Sequence, residues 1–126
     1  MTAAPPERRA LGAEGELRAA SLLARRGWRV LARNVRAGGV EIDLVAERDD
    51  VVAFVEVKTR RSRSLGAPEL AVDARKQARL VRGAAAWLHE NRSRRPRRVR
   101  FDVIVCELEG ERWSLRHLEG AFDAGG

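Results

Sequence analysis

The sequence predicts a single small α/β domain, and three observations predict it. Two long segments, 7–26 and 73–90, carry apolar residues at helical spacing. Five short segments, 28–35, 40–47, 51–59, 99–107 and 112–118, carry strand-like runs rich in branched residues. The length of 126 residues, 44% of them hydrophobic, suits one domain around one core.

Taken in chain order, 1–6 reads as a loose tail, 7–119 as the domain and 120–126 as a second tail. The first helix is expected to stop at Gly27, with Arg25 and Arg26 in its last turn. Glycines at 12 and 15 weaken its first half. Helical spacing puts Glu14, Arg18, Ser21 and Arg25 on a polar stripe, opposite Ala13, Leu17, Ala20, Leu23 and Ala24. Glu16 falls within the apolar side, between Ala20 and Leu23, so its carboxylate is expected to face a core or a cleft. The first strand, from Trp28, leads to a turn at Ala37-Gly38-Gly39.

The next two strands carry the information about chemistry. In 40–47, alternation assigns Val40, Ile42, Leu44 and Ala46 to one face and Glu41, Asp43 and Val45 to the other. In 51–59, Val51, Ala53, Val55 and Val57 share a face, and Val52, Phe54, Glu56 and Lys58 share the opposite one. A hairpin turning at 48–51 sets Asp43 across from Glu56, with Cβ atoms roughly 5 Å apart. Beyond a basic loop at 60–66 and a helical turn at 68–72, Asp73 is a good N-cap for the second helix. That helix turns Gln77, Leu80, Ala84, Trp87 and Leu88 inward, keeps Lys76 at its edge and points Arg75, Arg79 and Arg82 outward. A second basic loop at 91–98 precedes a strand with Phe101, Val103 and Val105 on one side, and a last strand follows. Trp28, Trp87 and Trp113 fall on apolar periodicities and are expected in the core.

Composition narrows the function classes. The net charge of +7 and pI of about 11.2 favour an anionic partner, most simply nucleic acid. No long apolar run or basic amphipathic helix points to a membrane, and no apolar segment near Met1 suggests a secretory signal, so the cytoplasm is expected. A lone cysteine, Cys106, rules out an intrachain disulfide, and His89 and His117 lack metal-ligand spacing. The basic residues comprise 23 arginines and only two lysines, Lys58 and Lys76. Where arginine is so strongly preferred, a lysine marks a place that arginine does not suit.

Glu41-Ile42-Asp43, twelve residues, then Glu56-Val57-Lys58 would gather two carboxylates and an ammonium on one sheet face. Carboxylates this close repel unless a proton or cation lies between them. Mg2+ or Mn2+ suits such oxygen donors, and the Val57 carbonyl offers one more. A metal there would polarise a phosphate and acidify a water, with Lys58 positioning the water or countering developing charge. The competing reading is that Glu56 and Lys58 are solvated residues on the polar face of an exposed sheet.

The residues Gly12-x-x-Gly15-Glu16-x-x-Ala19, Gly27, Arg33-Asn34, Glu41-Ile42-Asp43-Leu44-Val45-Ala46, Phe54 to Arg60, Gly66, Lys76, Trp87-Leu88 and Arg100-Phe101-Asp102-Val103 form a combined pattern from about Gly12 to Phe122. In this pattern the chain resembles the YraN-like family of uncharacterised bacterial proteins. That family in turn resembles the PD-(D/E)xK nuclease superfamily, which includes restriction endonucleases and archaeal Holliday-junction resolvases. The resemblance implies a restriction endonuclease-like core, a central mixed β-sheet flanked by helices. It implies Asp43 and Glu56 as metal ligands, Lys58 as the catalytic lysine, Glu16 as a first-helix acid joining the metal shell, and Glu41 as a weaker candidate. The chain departs from the family at Val40, where a glycine is usual.

Three functions follow as expectations. The first is a Mg2+- or Mn2+-dependent endonuclease acting on DNA, including branched or damaged DNA. The second is a nucleic-acid-binding subunit of a repair or recombination assembly that does not cut. The third is an RNA-processing endonuclease, because this fold does not fix the polymer. Phosphate contacts are expected from Arg60, Arg61, Arg63, Arg94, Arg95, Arg97 and Arg98. Lys76 either reaches a phosphate from its helix start or covers apolar surface at the helix edge. A homodimer would place two sites across a duplex.

Overall fold

A computed structural model describes residues 6–61, 73–96 and 98–123 of the chain. The expectations for Arg63, Gly66, Arg97, the turn at 68–72 and the side chain of Arg94 lie outside the described residues. The elements are α1 (Pro6–Arg25), β1 (Arg29–Ala37), β2 (Val40–Arg48), β3 (Val51–Arg61), α2 (Ala74–Glu90), β4 (Arg98–Glu109) and β5 (Arg112–Phe122). A short 3-10 turn, Arg92–Arg94, occupies part of the expected basic loop. The last strand runs to Phe122, through the first residues expected to be tail.

The strands form one mixed sheet in the order β1-β2-β3-β4-β5. Neighbours are antiparallel except β3 and β4, which run parallel, with α2 in the connection between them. A parallel step needs such a crossover, whereas a tight turn suffices for the hairpins. Each face of the sheet is covered by one helix. Against α1, Ala19, Leu22 and Leu23 pack with Trp28, Leu44, Ala46, Ala53, Val55, Ile104 and Cys106. Against α2, Leu80, Ala84 and Trp87 pack with Ala37, Ile42, Val45, Val52, Phe54 and Phe101. The alternation predicted for β3 therefore holds, and its two faces serve two cores. Trp28 and Trp87 are buried, whereas Trp113 is only partly so, with the Arg18 guanidinium 5.0 Å from its ring centre.

The apolar side of α1 is rotated from the expected one. Gly15, Ala19, Ala20, Leu22 and Leu23 face inward, while Ala13, Leu17 and Ala24 are exposed. Gly15 makes the closest approach on this side. A Cβ there would lie 2.1 Å from Thr59 Oγ1, so only glycine lets α1 settle this closely on β3. The Gly15 carbonyl accepts a hydrogen bond from the buried Cys106 thiol at 3.5 Å. That close approach fixes where Glu16, the next residue, meets the sheet.

A second correction concerns β2. Leu44 and Ala46 pack toward α1 as a pair, but Ile42 packs toward α2 beside Val45, so alternation breaks between residues 42 and 44. The opposite position of β1 is also irregular: Asn34, between the pairs Arg33–Leu44 and Val35–Ile42, has φ of 49°. Asparagine tolerates this left-handed conformation better than most residues. Val40 packs on Gly83 of α2, where an added Cβ would sit 3.0 Å from that of Val40. The helix glycine thus makes room for the Val40 side chain.

Candidate metal and phosphate site

The site forms where β2 and β3 part. Their ladder proceeds from Arg48–Val51 to Leu44–Val55 and ends one pair before Asp43 would meet Glu56. The register is the expected one, but the strands separate there. The Asp43 side chain explains the opening. Its Oδ2 accepts the Val57 N–H at 2.8 Å, replacing the backbone carbonyl that a continued ladder would offer. In extended backbone a residue's N–H and C=O leave toward the same neighbour, so the Val57 carbonyl also faces the gap.

The charges around the gap are unbalanced. Burial, first, and then the nearby Glu56 push the Asp43 carboxyl up to about 7. Glu16 raises it further, while the Val57 N–H and Lys76 pull it down only in part. Glu16 comes from the α1 side of the sheet and Glu56 from the α2 side, and the opening between strands brings both to bear on Asp43. Glu56 is buried at 8% exposure, and its Oε2 lies 2.6 Å from Lys76 Nζ. Lys76 is thus the ion-pair partner of Glu56. Asp73 caps α2 as expected, accepting the Lys76 N–H at 2.9 Å and setting the first turn from which this side chain reaches the sheet.

Two cavities adjoin. The first, about 270 Å3, is lined by Arg36, Val40, Glu41, Asp43, Glu56, Lys76, Arg79 and Leu80. The second, about 340 Å3, lies among Glu56, Lys58, Arg60, Lys76 and their neighbours. Asp43, Glu56 and Lys58 therefore share one trench, with Glu41 on its rim. The sequence did not single out Arg36 and Arg79 as site residues. Their signals were the β1–β2 pairing of Arg36 with Glu41 and the position of Arg79 one turn beyond Lys76.

The other expected phosphate contacts are distributed differently. Arg60 is held by the buried Glu107, at 2.6 Å from Nη2 to Oε2, and it lines the second cavity. Arg61 is exposed at the end of β3. Arg95 and Arg98 stand at the far end of the sheet: Arg98 pairs with Val51, five residues and roughly 16 Å along β3 from Glu56. They do not join the trench.

A separate cluster escaped the sequence reading. Asp102 is fully buried, and its oxygens accept bonds from Arg100 at 2.9 Å, Gly120 N–H at 3.0 Å and His117 Nε2 at 2.7 Å. Burial alone would raise the Asp102 pKa, but hydrogen bonds from His117, Arg100 and Gly120 together hold it below the ordinary value. Arg100 and Arg48 also lie over the Trp28 ring, at 5.1 and 4.6 Å from its centre.

Among the described residues no three His, Cys, Asp or Glu side chains stand arranged to hold a metal ion. Lys76 pairs with Glu56, and the Val57 N–H is bonded to Asp43. The donor set nevertheless suits a hard divalent cation: two carboxylates from adjoining strands, a backbone carbonyl facing the same gap, and more negative charge than the present partners neutralise. Among the described residues no helix is long and apolar enough to cross a membrane.

Comparison with known proteins names no activity. A UPF0102 protein of Trichlorobacter lovleyi is 47% identical over 116 residues, covering 90% of this chain and 91% of its own. One of Myxococcus xanthus is 46% identical over 123 residues, covering 98% and 97%. The crystal structure of SSO0001 overlaps 95% of this chain and 55% of its own length, with a TM-score of 0.41 and 17% identity, a likeness too weak to carry an argument. The model of the uncharacterised protein family UPF0102 matches residues 15–106, from the close-packed glycine of α1 to the thiol beneath it, and the chain belongs to that family.

Proposed function

We propose that the protein is a metal-dependent endonuclease that hydrolyses phosphodiester bonds of DNA at the opening between β2 and β3. One observation carries the proposal: Asp43, with its carboxyl raised to about 7, and buried Glu56 meet in a trench that also holds Lys58, Arg36 and Arg79. Buried, incompletely neutralised acids beside a cavity are costly to the fold, and such groups concentrate at functional sites.

Asp43, Glu56 and the Val57 carbonyl would hold the ion, with Glu16 adding charge from α1. Bound there, a divalent cation supplies polarisation of the phosphate and acidification of a water. Lys58, on the Glu56 face of β3, orients the attacking water and stabilises charge on the phosphate. A compact ammonium suits that role better than a guanidinium, whose pKa hardly shifts. Arg36 and Arg79 hold the backbone through its charge, without reading base edges.

A second reading is favoured by the Lys76–Glu56 ion pair, which occupies one of the two carboxylates. In it the protein binds nucleic acid within a repair or recombination assembly and does not cut. Incubation with Mg2+ or Mn2+ and a panel of duplex, branched and single-stranded DNA, with matched RNA, separates the readings. Cleavage of DNA that disappears in Glu56→Ala supports the nuclease. Salt-dependent binding with no cleavage of any substrate overturns it and leaves the second reading.

A further inference from the structure

Glu56 and Lys76 are the two residues that line both cavities, so their ion pair forms the wall dividing the trench. The partners differ in freedom. Glu56 is fixed on the central strand β3, and its side chain is 11% exposed. Lys76 sits in the first turn of α2 with a side chain 52% exposed. Its ammonium can rotate away on a flexible stem and be hydrated; the carboxylate has nowhere to go.

We propose that the Lys76–Glu56 pair is a latch opened by a divalent cation: the ion takes the Glu56 carboxylate, and the released ammonium joins the trench as a phosphate contact. This rests on the reading of Asp43 and Glu56 as metal ligands. A cation held by Asp43 and Glu56 would compete with the ammonium for the Glu56 carboxylate, because two positive charges this close repel each other. Opening the pair removes the wall, so the two cavities become one trench. The released charge then lies beside Arg79 and Lys58, where a phosphate backbone would run. Metal and nucleic acid would thus bind cooperatively, because each favours the open pair.

The latch also accounts for the choice of lysine in a chain with 23 arginines. An arginine would grip Glu56 with two parallel hydrogen bonds and release it less readily.

Two lysines make the test direct. Selective 13C and 15N labelling of lysine gives two side-chain signals, and Lys76→Gln assigns them. Saturating Mg2+ should move the Lys76 signal to that of a solvated lysine and speed exchange of its ammonium protons. Calorimetric titration with Mn2+ should find Lys76→Gln binding roughly five- to tenfold tighter than the parent, and Lys76→Arg binding more weakly. If the metal binds but the Lys76 signal stays unchanged, or Lys76→Arg binds as the parent does, the latch is overturned while the metal site stands. If the parent, Lys76→Gln and Glu56→Gln all fail to bind Mg2+ and Mn2+, the metal site itself is wrong and the latch falls with it.

Discussion

Two acidic clusters in one sheet have opposite electrostatic outcomes. Asp102 is fully buried, yet Arg100, His117 and the Gly120 N–H satisfy it and hold its carboxyl below the ordinary value. Asp43 is not fully covered, accepts the Val57 N–H and lies near Glu56 and Glu16, and its carboxyl rises to about 7. Burial disfavours charge in both, and the partners decide the outcome. The satisfied Asp102 carboxylate ties β4 to β5; the unsatisfied Asp43 carboxylate opens onto the trench. The contrast separates an acid that holds the fold from one whose cost to the fold points to a ligand.

The largest expected effect lies at the satisfied cluster. Asp102→Ala leaves Arg100 without its buried partner and should lower unfolding free energy by about 3–5 kcal/mol, measured by urea denaturation. At the trench, Asp43→Ala and Glu56→Ala should each lower cleavage at least about 100-fold, or about 2.7 kcal/mol in the barrier, while DNA binding persists. Equal cleavage by both variants and the parent would remove the functional half of the contrast. Gly15→Ala should cost about 1–3 kcal/mol by driving a methyl group into Thr59, and Thr59→Ala in the same chain should recover part of it.

Another effect is a slope. The folded Asp43 carboxyl titrates near 7 and the unfolded one near 3.8. Between those values the folded state holds the extra proton, so Asp43 makes the metal-free protein less stable as pH rises. One such group contributes at most about 1.4 kcal/mol per pH unit. Asp43→Asn should flatten this part of the stability profile, and Mg2+ should raise the melting temperature more at pH 8 than at pH 5. Asp102 has the opposite sign: its contribution is present above the unfolded pKa and is lost as pH falls through its depressed folded value.

The hairpin register was legible because turn position and alternation fix which residues oppose one another. The predicted pairing of Asp43 with Glu56 is one step beyond the observed last pair, Leu44 with Val55. The opening itself was not legible, since it depends on a carboxylate taking a backbone N–H from the neighbouring strand. The buried side of α1 was misread because its closest contact is made by Gly15, which carries no hydrophobic signal. Lys76 stood out by composition, but its pairing with Glu56 depends on how α2 docks over β3. The link between Asp102 and His117 was not legible, since it depends on β4 pairing with β5.

The thiol beneath α1 offers a gauge of helix docking. Cys106 is fully covered, its sulfur is turned to the Gly15 carbonyl, and burial pushes its pKa up to about 11. An alkylating reagent needs the thiolate and a path to it, and both require the helix to lift. The rate of modification therefore counts excursions of the segment that carries Glu16, and any ligand that clamps this segment to the sheet would slow the reaction without touching sulfur.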